Sequence, residues 1–241
     1  MKNKYMVSVC IATYNGEKYI KEQIESILVQ LSIDDELIIS DDNSTDNTVE
    51  IIKQISDSRI IFFLNKEKGY TSNFENALKQ VAGDIVFLSD QDDIWVHNKV
   101  EVCLEELKNY DLVISDCKII NSENEIISDS YFELRNPKKS CLGNIVKFSY
   151  LGCCLAFRSD ILKKALPFPP NRELCTHDNW LFLVGSCFYK HKILNNKLIL
   201  YRRHDGNAST GGLISTTSMW FKIKYRIYAC VCLIKRLFKN K

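Results

Sequence analysis

Several patterns that would fix a fold or a chemistry at once are missing from this chain. No Cys-x-x-Cys occurs among its ten cysteines; the close pairs are Cys153-Cys154 and Cys230-x-Cys232, spacings that suit neither a zinc knuckle nor a dithiol redox motif. Cys10, Cys103, Cys117 and Cys187 sit inside apolar runs, where a thiol is expected to act as a small hydrophobe. No Gly-x-Gly-x-x-Gly follows any strand-like segment, which excludes a dinucleotide-binding dehydrogenase. No apolar run reaches the roughly 18 residues needed to span a bilayer, and the opening Met1 to Met6 has no apolar signal-peptide core. A reducing compartment, the cytoplasm, is the expectation. Proline and glycine are sparse, four and nine of 241 residues, and no Gly-, Pro- or Ser-rich linker or internal repeat divides the chain. Acidic residues are absent from Gly206 to Lys241, where seven basic ones stand, leaving 25 basic and 30 acidic residues in the rest. The body is mildly acidic and the tail basic. No nucleic-acid partner is expected.

What is present is a globular composition, 46% hydrophobic and 26% charged, with strand and helix signals in alternation. Met6 to Ala12 and Glu36 to Ser40 are short apolar runs of strand type, as are Arg59 to Leu64, Asp84 to Leu88 and Asp111 to Ser115. Between them, helical spacing covers Tyr19 to Leu31, then Val49, Ile52 and Ile55, then Asn73 to Val81 and Asn98 to Leu107. Asp42 to Thr45 is a turn able to cap the second of these helices. Further on, Leu155 to Phe157 and Leu198 to Tyr201 read as strands, with helices over Asp160 to Leu166 and Asn179 to Phe188. Strands joined by single helices imply right-handed crossovers and a mostly parallel α/β sheet, whose ligands gather at the carboxyl ends of the strands. Thr13-Tyr14-Asn15, Asp41-Asp42 and Asp90-Gln91-Asp92-Asp93 follow three of those strands and are expected to converge on one crevice.

Carboxylates crowded at a strand end repel one another unless a cation neutralises them. Asp90, Asp92 and Asp93 therefore suit a hard divalent ion, Mg²⁺ or Mn²⁺, shared with a substrate phosphate; a solvated acidic turn is the plainer alternative. Asp42 could accept the N3–H of a pyrimidine base, or merely cap a helix. Asp178 could remove a proton from an attacking hydroxyl, or cap the helix that follows it. Spacing alone leaves each pair of readings open.

Val7 to Asn15 with Glu17, Ser40 to Asp46, and Ser89 to Trp95 closely resemble the motifs of family 2 glycosyltransferases of the GT-A fold. Thr176-His-Asp-Asn-Trp180 and Tyr201-Arg-Arg-His204 resemble later motifs of bacterial members, often described as rhamnosyltransferases. The resemblance runs from about residue 5 to 210, with the motifs in order. It implies a GT-A, Rossmann-like domain over 1–212, with a nucleotide-binding half (1–116) and an acceptor half (117–212), followed by a tail over 213–241. It also implies an inverting transfer from a UDP- or dTDP-sugar to a saccharide or lipid-linked saccharide hydroxyl, in surface polysaccharide (capsule or O-antigen) synthesis. Thr13, Tyr14 and Glu17 would line the nucleoside site, and Asp42 would bind the base. Asp90 and Asp92 match the metal- and diphosphate-binding pair, with Asp92 the direct ligand. Asp178 matches the general base, and His204 a histidine that meets metal or diphosphate in some members, although by itself it reads equally as a surface or supporting histidine. Asn73 would contact phosphate or ribose, or simply cap its helix. Read from their position alone, Arg202 and Arg203 could add positive charge beside the diphosphate, or one of them could simply be solvated. Asn179 stands where the nearest group has Trp, which bears on the acceptor. A nucleotidyltransferase shares the plan but would need a Gly-rich basic loop after the first strand. A binding module without catalysis is disfavoured because every acidic position is intact.

Projected at 100° per residue, Trp220, Ile223, Ile227, Cys230, Val231, Ile234 and Phe238 form one apolar stripe. Lys222, Lys224, Arg226, Lys235, Arg236 and Lys239 lie off it. Such a basic amphipathic helix suits an anionic membrane surface, giving peripheral contact at the inner face of the membrane; packing of the stripe on the domain is the alternative.

Overall fold

β1 (Val7–Thr13) is buried along almost its whole length, as a strand covered by helices on both faces must be. The structure, a computed structural model, describes residues 5–207 and 218–238. Around β1 the chain lays down β2 (Glu36–Asp41), β3 (Ile60–Leu64) and β4 (Ile85–Ser89), joined by α1 (Ile20–Leu28), α2 (Thr48–Gln54) and α3 (Tyr70–Leu78). β1 pairs in parallel with β2 and β4, and β2 with β3. The short β5 (Ile94–Trp95) leads to α4 (Lys99–Glu106), β6 (Leu112–Ile120) and β7 (Ile126–Ser128). α5 (Tyr131–Arg135), α6 (Cys141–Val146) and a 3₁₀ turn at Gly152–Cys154 then bring the chain to β8 (Leu155–Arg158). α7 (Asp160–Ala165), α8 (His177–Phe188), β9 (His191–Arg202) and α9 (Met219–Phe238) complete it.

The strands make one sheet in the order β3-β2-β1-β4-β8-β6-β9-β5, with β7 attached to β6. Its long ladders are parallel, as expected, and this includes β6 with β9. The exceptions are β8, inserted antiparallel between β4 and β6, and the short β5 and β7, antiparallel to β9 and β6. β6 runs through the 116/117 division, so the two halves share a strand; the 212/213 boundary and Lys239 lie outside the described residues.

Several boundaries move for identifiable reasons. α3 begins at Tyr70 rather than Asn73, because Gly69 at φ 112° turns the chain and Asn73 N–H already donates to the Gly69 carbonyl (3.0 Å). The helix after β2 starts at Thr48, not in the Asp42–Thr45 turn, because the Asp46 carboxylate receives the Thr48 N–H (3.0 Å). β9 extends back to His191, its polar residues being tolerated where the register with β6 shifts. Cys141 on α6 and Cys187 on α8 are joined as a disulfide, with Cα atoms 5.6 Å apart, so Cys187 is not the free apolar thiol expected; a pairing across 46 residues leaves no mark in local spacing.

α9 meets the body through Ala229 and Leu233, both buried, and through polar anchors. The Tyr225 hydroxyl accepts from Asn179 Nδ2 (2.8 Å) and Arg236 lies 5.6 Å from the Trp180 ring. The apolar stripe does not make this contact. Trp220, Ile227 and Phe238 are 74%, 61% and 71% exposed.

Candidate active site

A cavity of about 550 Å³ opens over the carboxyl ends of β1, β2 and β4 and is closed on its far side by α5, the 3₁₀ turn and the start of α8. Tyr14, Asp42, Asn73, Asp90, Asp92 and Asp178 all line it, so the structure brings six of the expected site residues together.

β1 ends in a turn at Asn15, whose φ of 48° suits Asn, and this throws Tyr14 outward, the residue being 54% exposed. The turn is clamped by Gln91: Tyr14 N–H donates to Gln91 Oε1 (2.8 Å), and Gln91 Nε2 donates to the Tyr14 carbonyl (3.0 Å). Thr13 and Glu17 are expected lining residues that the structure turns elsewhere. Thr13 is buried, its hydroxyl donating to Asp41 Oδ2 (2.8 Å), because the inner face of β1 points into the sheet layer. Glu17 accepts from Asn47 N–H (2.9 Å) and Nδ2 (2.7 Å), satisfying donors at the start of α2.

Asp42 presents its carboxylate to the cavity while Oδ1 accepts from Asn65 Nδ2 (2.9 Å) and Oδ2 from Gly69 N–H (2.8 Å). Each carboxylate oxygen has a second lone pair, so both can accept once more. Asn73 is buried with Nδ2 donating to the Thr13 carbonyl (3.0 Å), and its Oδ1 has no partner. It is not a helix cap; it carries an acceptor at the cavity wall.

The acidic turn after β4 holds three different carboxylates. Asp92 Oδ2 accepts from His204 Nε2 (2.9 Å) and Asn207 Nδ2 (2.8 Å). Asp93 is fully buried, Oδ1 accepting from Arg202 N–H (3.0 Å) while Oδ2 has no partner. Burial, then the nearby charges of Asp92 and Asp178, push Asp90 up to about 7; burial and Asp92 push Asp93 well above the carboxylate range. Ligand atoms of Asp90, Asp93 and Cys153 lie within 4.8 Å of one another. Beneath them Lys99 is buried, donating to the Cys153 carbonyl (2.8 Å) and standing 4.0 Å from the Trp95 ring. Arg202 is not a diphosphate contact: it is 1% exposed, spanning from the Asp92 carbonyl (Nε, 2.7 Å) to Glu22 Oε2 (Nη2, 2.7 Å). Arg203 donates to the Tyr201 hydroxyl (3.2 Å).

Asp178 is the second residue of α8, whose N-cap is Thr176, so it does not itself occupy the capping position. Its Oδ1 accepts from the Thr176 hydroxyl and from Asn179 N–H (2.7 Å), which fixes the carboxylate at the cavity wall. His177, not singled out in the sequence, stacks on Phe74 at 4.0 Å, and burial lowers its pKa. Gly152 crosses directly over this pair: a Cβ there would stand 2.9 Å from His177 Nε2 and 3.2 Å from the Asp178 Cβ. The far wall adds Tyr131, Tyr150 and Arg135, the sole Lys or Arg lining the cavity among the described residues. Gln91 and Asp93 stand within a quoted motif, whereas nothing local marks Gly152, Cys153, Arg135 or Tyr150 as part of a site.

The profile of Glycosyl transferase family 2 matches residues 8–166. The dTDP-rhamnosyl transferase RfbG of Shigella flexneri is 31% identical over 239 residues, covering 90% of this chain and 77% of that protein. The UDP-Glc:alpha-D-GlcNAc-diphosphoundecaprenol beta-1,3-glucosyltransferase WfgD of Escherichia coli is 32% identical over 168 residues, 68% of this chain and 64% of that protein. Among solved structures, S. aureus TarS 1–349 in complex with UDP superposes with a TM-score of 0.69 at 21% identity, over 95% of this chain and 65% of that one. Glucosyl-3-phosphoglycerate synthase from Mycobacterium tuberculosis, in complex with Mn²⁺, UDP and phosphoglyceric acid, gives 0.59 at 17% identity, over 99% and 80%. With a family profile across two thirds of its length, a relative above 30% identity along most of the rest, and the sheet of the GT-A enzymes, this chain belongs to the family 2 glycosyltransferases.

Proposed function

We propose that the protein transfers a sugar, with inversion, from a UDP- or dTDP-sugar to a hydroxyl of a saccharide or lipid-linked saccharide during synthesis of a bacterial surface polysaccharide. One observation carries this reading: a fixed carboxylate, Asp178, and two acids of the strand-end cluster, Asp90 and Asp92, face the same cavity although they stand far apart in sequence. The names of the relatives support it, one using dTDP-rhamnose and one a diphosphoundecaprenol-linked acceptor.

The cluster fits a divalent cation. Asp93 Oδ2 is a buried acceptor without a donor, and burial together with Asp92 and Asp178 holds Asp90 back from ionising, so the cluster has room for a cation. Asp90 and Asp92, with His204 beside Asp92, would hold Mg²⁺ or Mn²⁺. Such an ion offsets the charge that develops on a diphosphate leaving group. Tyr14 would stack on the base while Asp42 accepts its N3–H, and the free Oδ1 of Asn73 would accept from a ribose hydroxyl. Asp178, held by Thr176 and the helix backbone, would take the proton of the acceptor hydroxyl as it attacks in line. A double displacement would need a further nucleophile, and the other carboxylates of the cavity are already engaged. Arg135, on the acceptor side, would meet an anionic group of the acceptor. A cytoplasmic enzyme in peripheral contact with the inner face of the membrane matches this reading.

The test is a donor screen with purified protein and Mn²⁺, reading release of UDP, dTDP or GDP and then the anomeric configuration of the product by NMR. Inversion with a pyrimidine nucleotide donor is expected. Retention of configuration, or equal use of GDP-sugars, overturns the assignment.

A further inference from the structure

α9 is a 20-residue helix that uses less than half of its circumference to hold the domain. Tyr225, Ala229, Cys232, Leu233 and Arg236 make the packing face. At 100° per residue, Trp220, Ile227, Val231, Ile234 and Phe238 fall on the opposite side, and all five are exposed, Trp220 by 74% and Phe238 by 71%. Cations border this stripe on both flanks, Lys224 and Lys235 on one and Arg226 on the other, while Lys222 falls nearer the packing side. No acidic residue occurs between 218 and 238. The stripe also has a neighbour. On α6, Leu142 and Val146 are one turn apart and are 75% and 61% exposed, and Arg226 Nη2 donates to the Val146 carbonyl (2.7 Å), tying the two helices together. α6 runs on into Phe148, Tyr150 and Gly152, which line the acceptor side of the cavity.

An apolar ridge with cations along both edges matches the boundary between acyl chains and anionic headgroups, where apolar side chains enter and lysines remain at phosphate level. A second copy of the chain would bring the same flanking cations against these, a repulsion that an anionic lipid surface turns into attraction. Among the described residues no helix is long and apolar enough to cross a membrane, so α9 would lie in the plane.

We infer that α9 and the adjoining end of α6 form a docking face for an anionic phospholipid surface, seated through the stripe from Trp220 to Phe238. This deepens the function proposed above, since it sets the acceptor side of the cavity close to a lipid-borne saccharide.

The full chain is mixed with vesicles of phosphatidylcholine alone or of equimolar phosphatidylcholine and phosphatidylglycerol. Trp95 and Trp180 are buried, so Trp220 dominates any change of emission. A blue shift and co-sedimentation with the anionic vesicles, weakening with salt, are expected. The double variant Ile227→Glu, Ile234→Glu changes only exposed positions and should lower vesicle affinity at least about tenfold, with an unchanged melting temperature and unchanged hydrolysis of the sugar nucleotide. Equal binding by wild type and variant, or no preference for anionic vesicles, overturns the inference. So does a wild-type dimer in sedimentation velocity that the variant abolishes without any vesicle binding. Vesicle binding without activity toward any donor would instead strike the proposed function and leave the docking face standing.

Discussion

At the scale of single residues, two carboxylates separate the chemistry from its support. Asp178→Asn keeps the size and the hydrogen bonds from Thr176 and Asn179 but removes the basicity. Transfer should fall by a factor on the order of 10² to 10⁴ while calorimetric donor affinity stays within a few-fold; near-normal transfer rules Asp178 out as the base. Asp90 makes a pH-dependent prediction. Its pKa is raised in the folded protein, from the usual 3.8 to about 7, so its protonated form stabilises the metal-free fold below the unfolded value. That contribution is lost as pH rises through about 7. A cation needs the ionised form, so Mn²⁺ affinity should climb between pH 6 and 8 with release of close to one proton. Calorimetry in buffers of different ionisation enthalpy measures this, and Asp90→Asn should flatten both the affinity profile and the proton release. These roles were half legible in the sequence. The strand-end acids announce themselves by following apolar runs. That Asp93 rather than Asp90 would be sealed from solvent, and that Arg202 would be buried under them, depends on β9 folding back beside β5, which no local pattern records.

At the scale of elements, Asp178, the proposed base, is positioned by the close approach of the Gly152 backbone. Gly152 in the 3₁₀ turn leaves no room for a Cβ against His177 and Asp178. Gly152→Ala must displace the buried His177 ring or the start of α8 that carries it and Asp178, and a displacement near 1 Å at a reacting group costs roughly 10² in rate. Turnover should drop by about that factor with donor affinity retained, since Tyr14, Asp42 and Asn73 stand on other elements. A variant with unchanged turnover would show that α8 tolerates the shift. The helices of the nucleotide half were readable because their apolar faces recur at helical spacing. α5, α6 and the 3₁₀ turn were not, being too short for periodicity to declare itself. The tail illustrates a different difficulty. Its apolar stripe was evident, yet the helix packs through its other side, where Tyr225 and Arg236 reach Asn179 and Trp180. A projection ranks faces by hydropathy and is blind to anchoring by a tyrosine hydroxyl or a guanidinium over a ring.

For the whole molecule, the alternation of strands and helices was enough to infer a doubly wound sheet with its site at the carboxyl ends of the strands. The order of strands past β4 was not accessible, because β8 arrives some seventy residues after the strand it joins. That insertion has a consequence for the chain as a piece of material. A fragment ending near residue 116 would present the apolar length of β4 as an open edge, a template for indiscriminate strand pairing. The nucleotide-binding half should therefore be insoluble when made alone. Supplied with the remainder of the chain in the same cell, it should be rescued as a non-covalent complex, detectable by co-purification through a tag on one piece. The two halves of the catalytic cavity would then behave as complementary parts of one folding unit, so that neither ancestor nor engineered chimera could exchange the acceptor half without also bringing a new β8 to close the ladder.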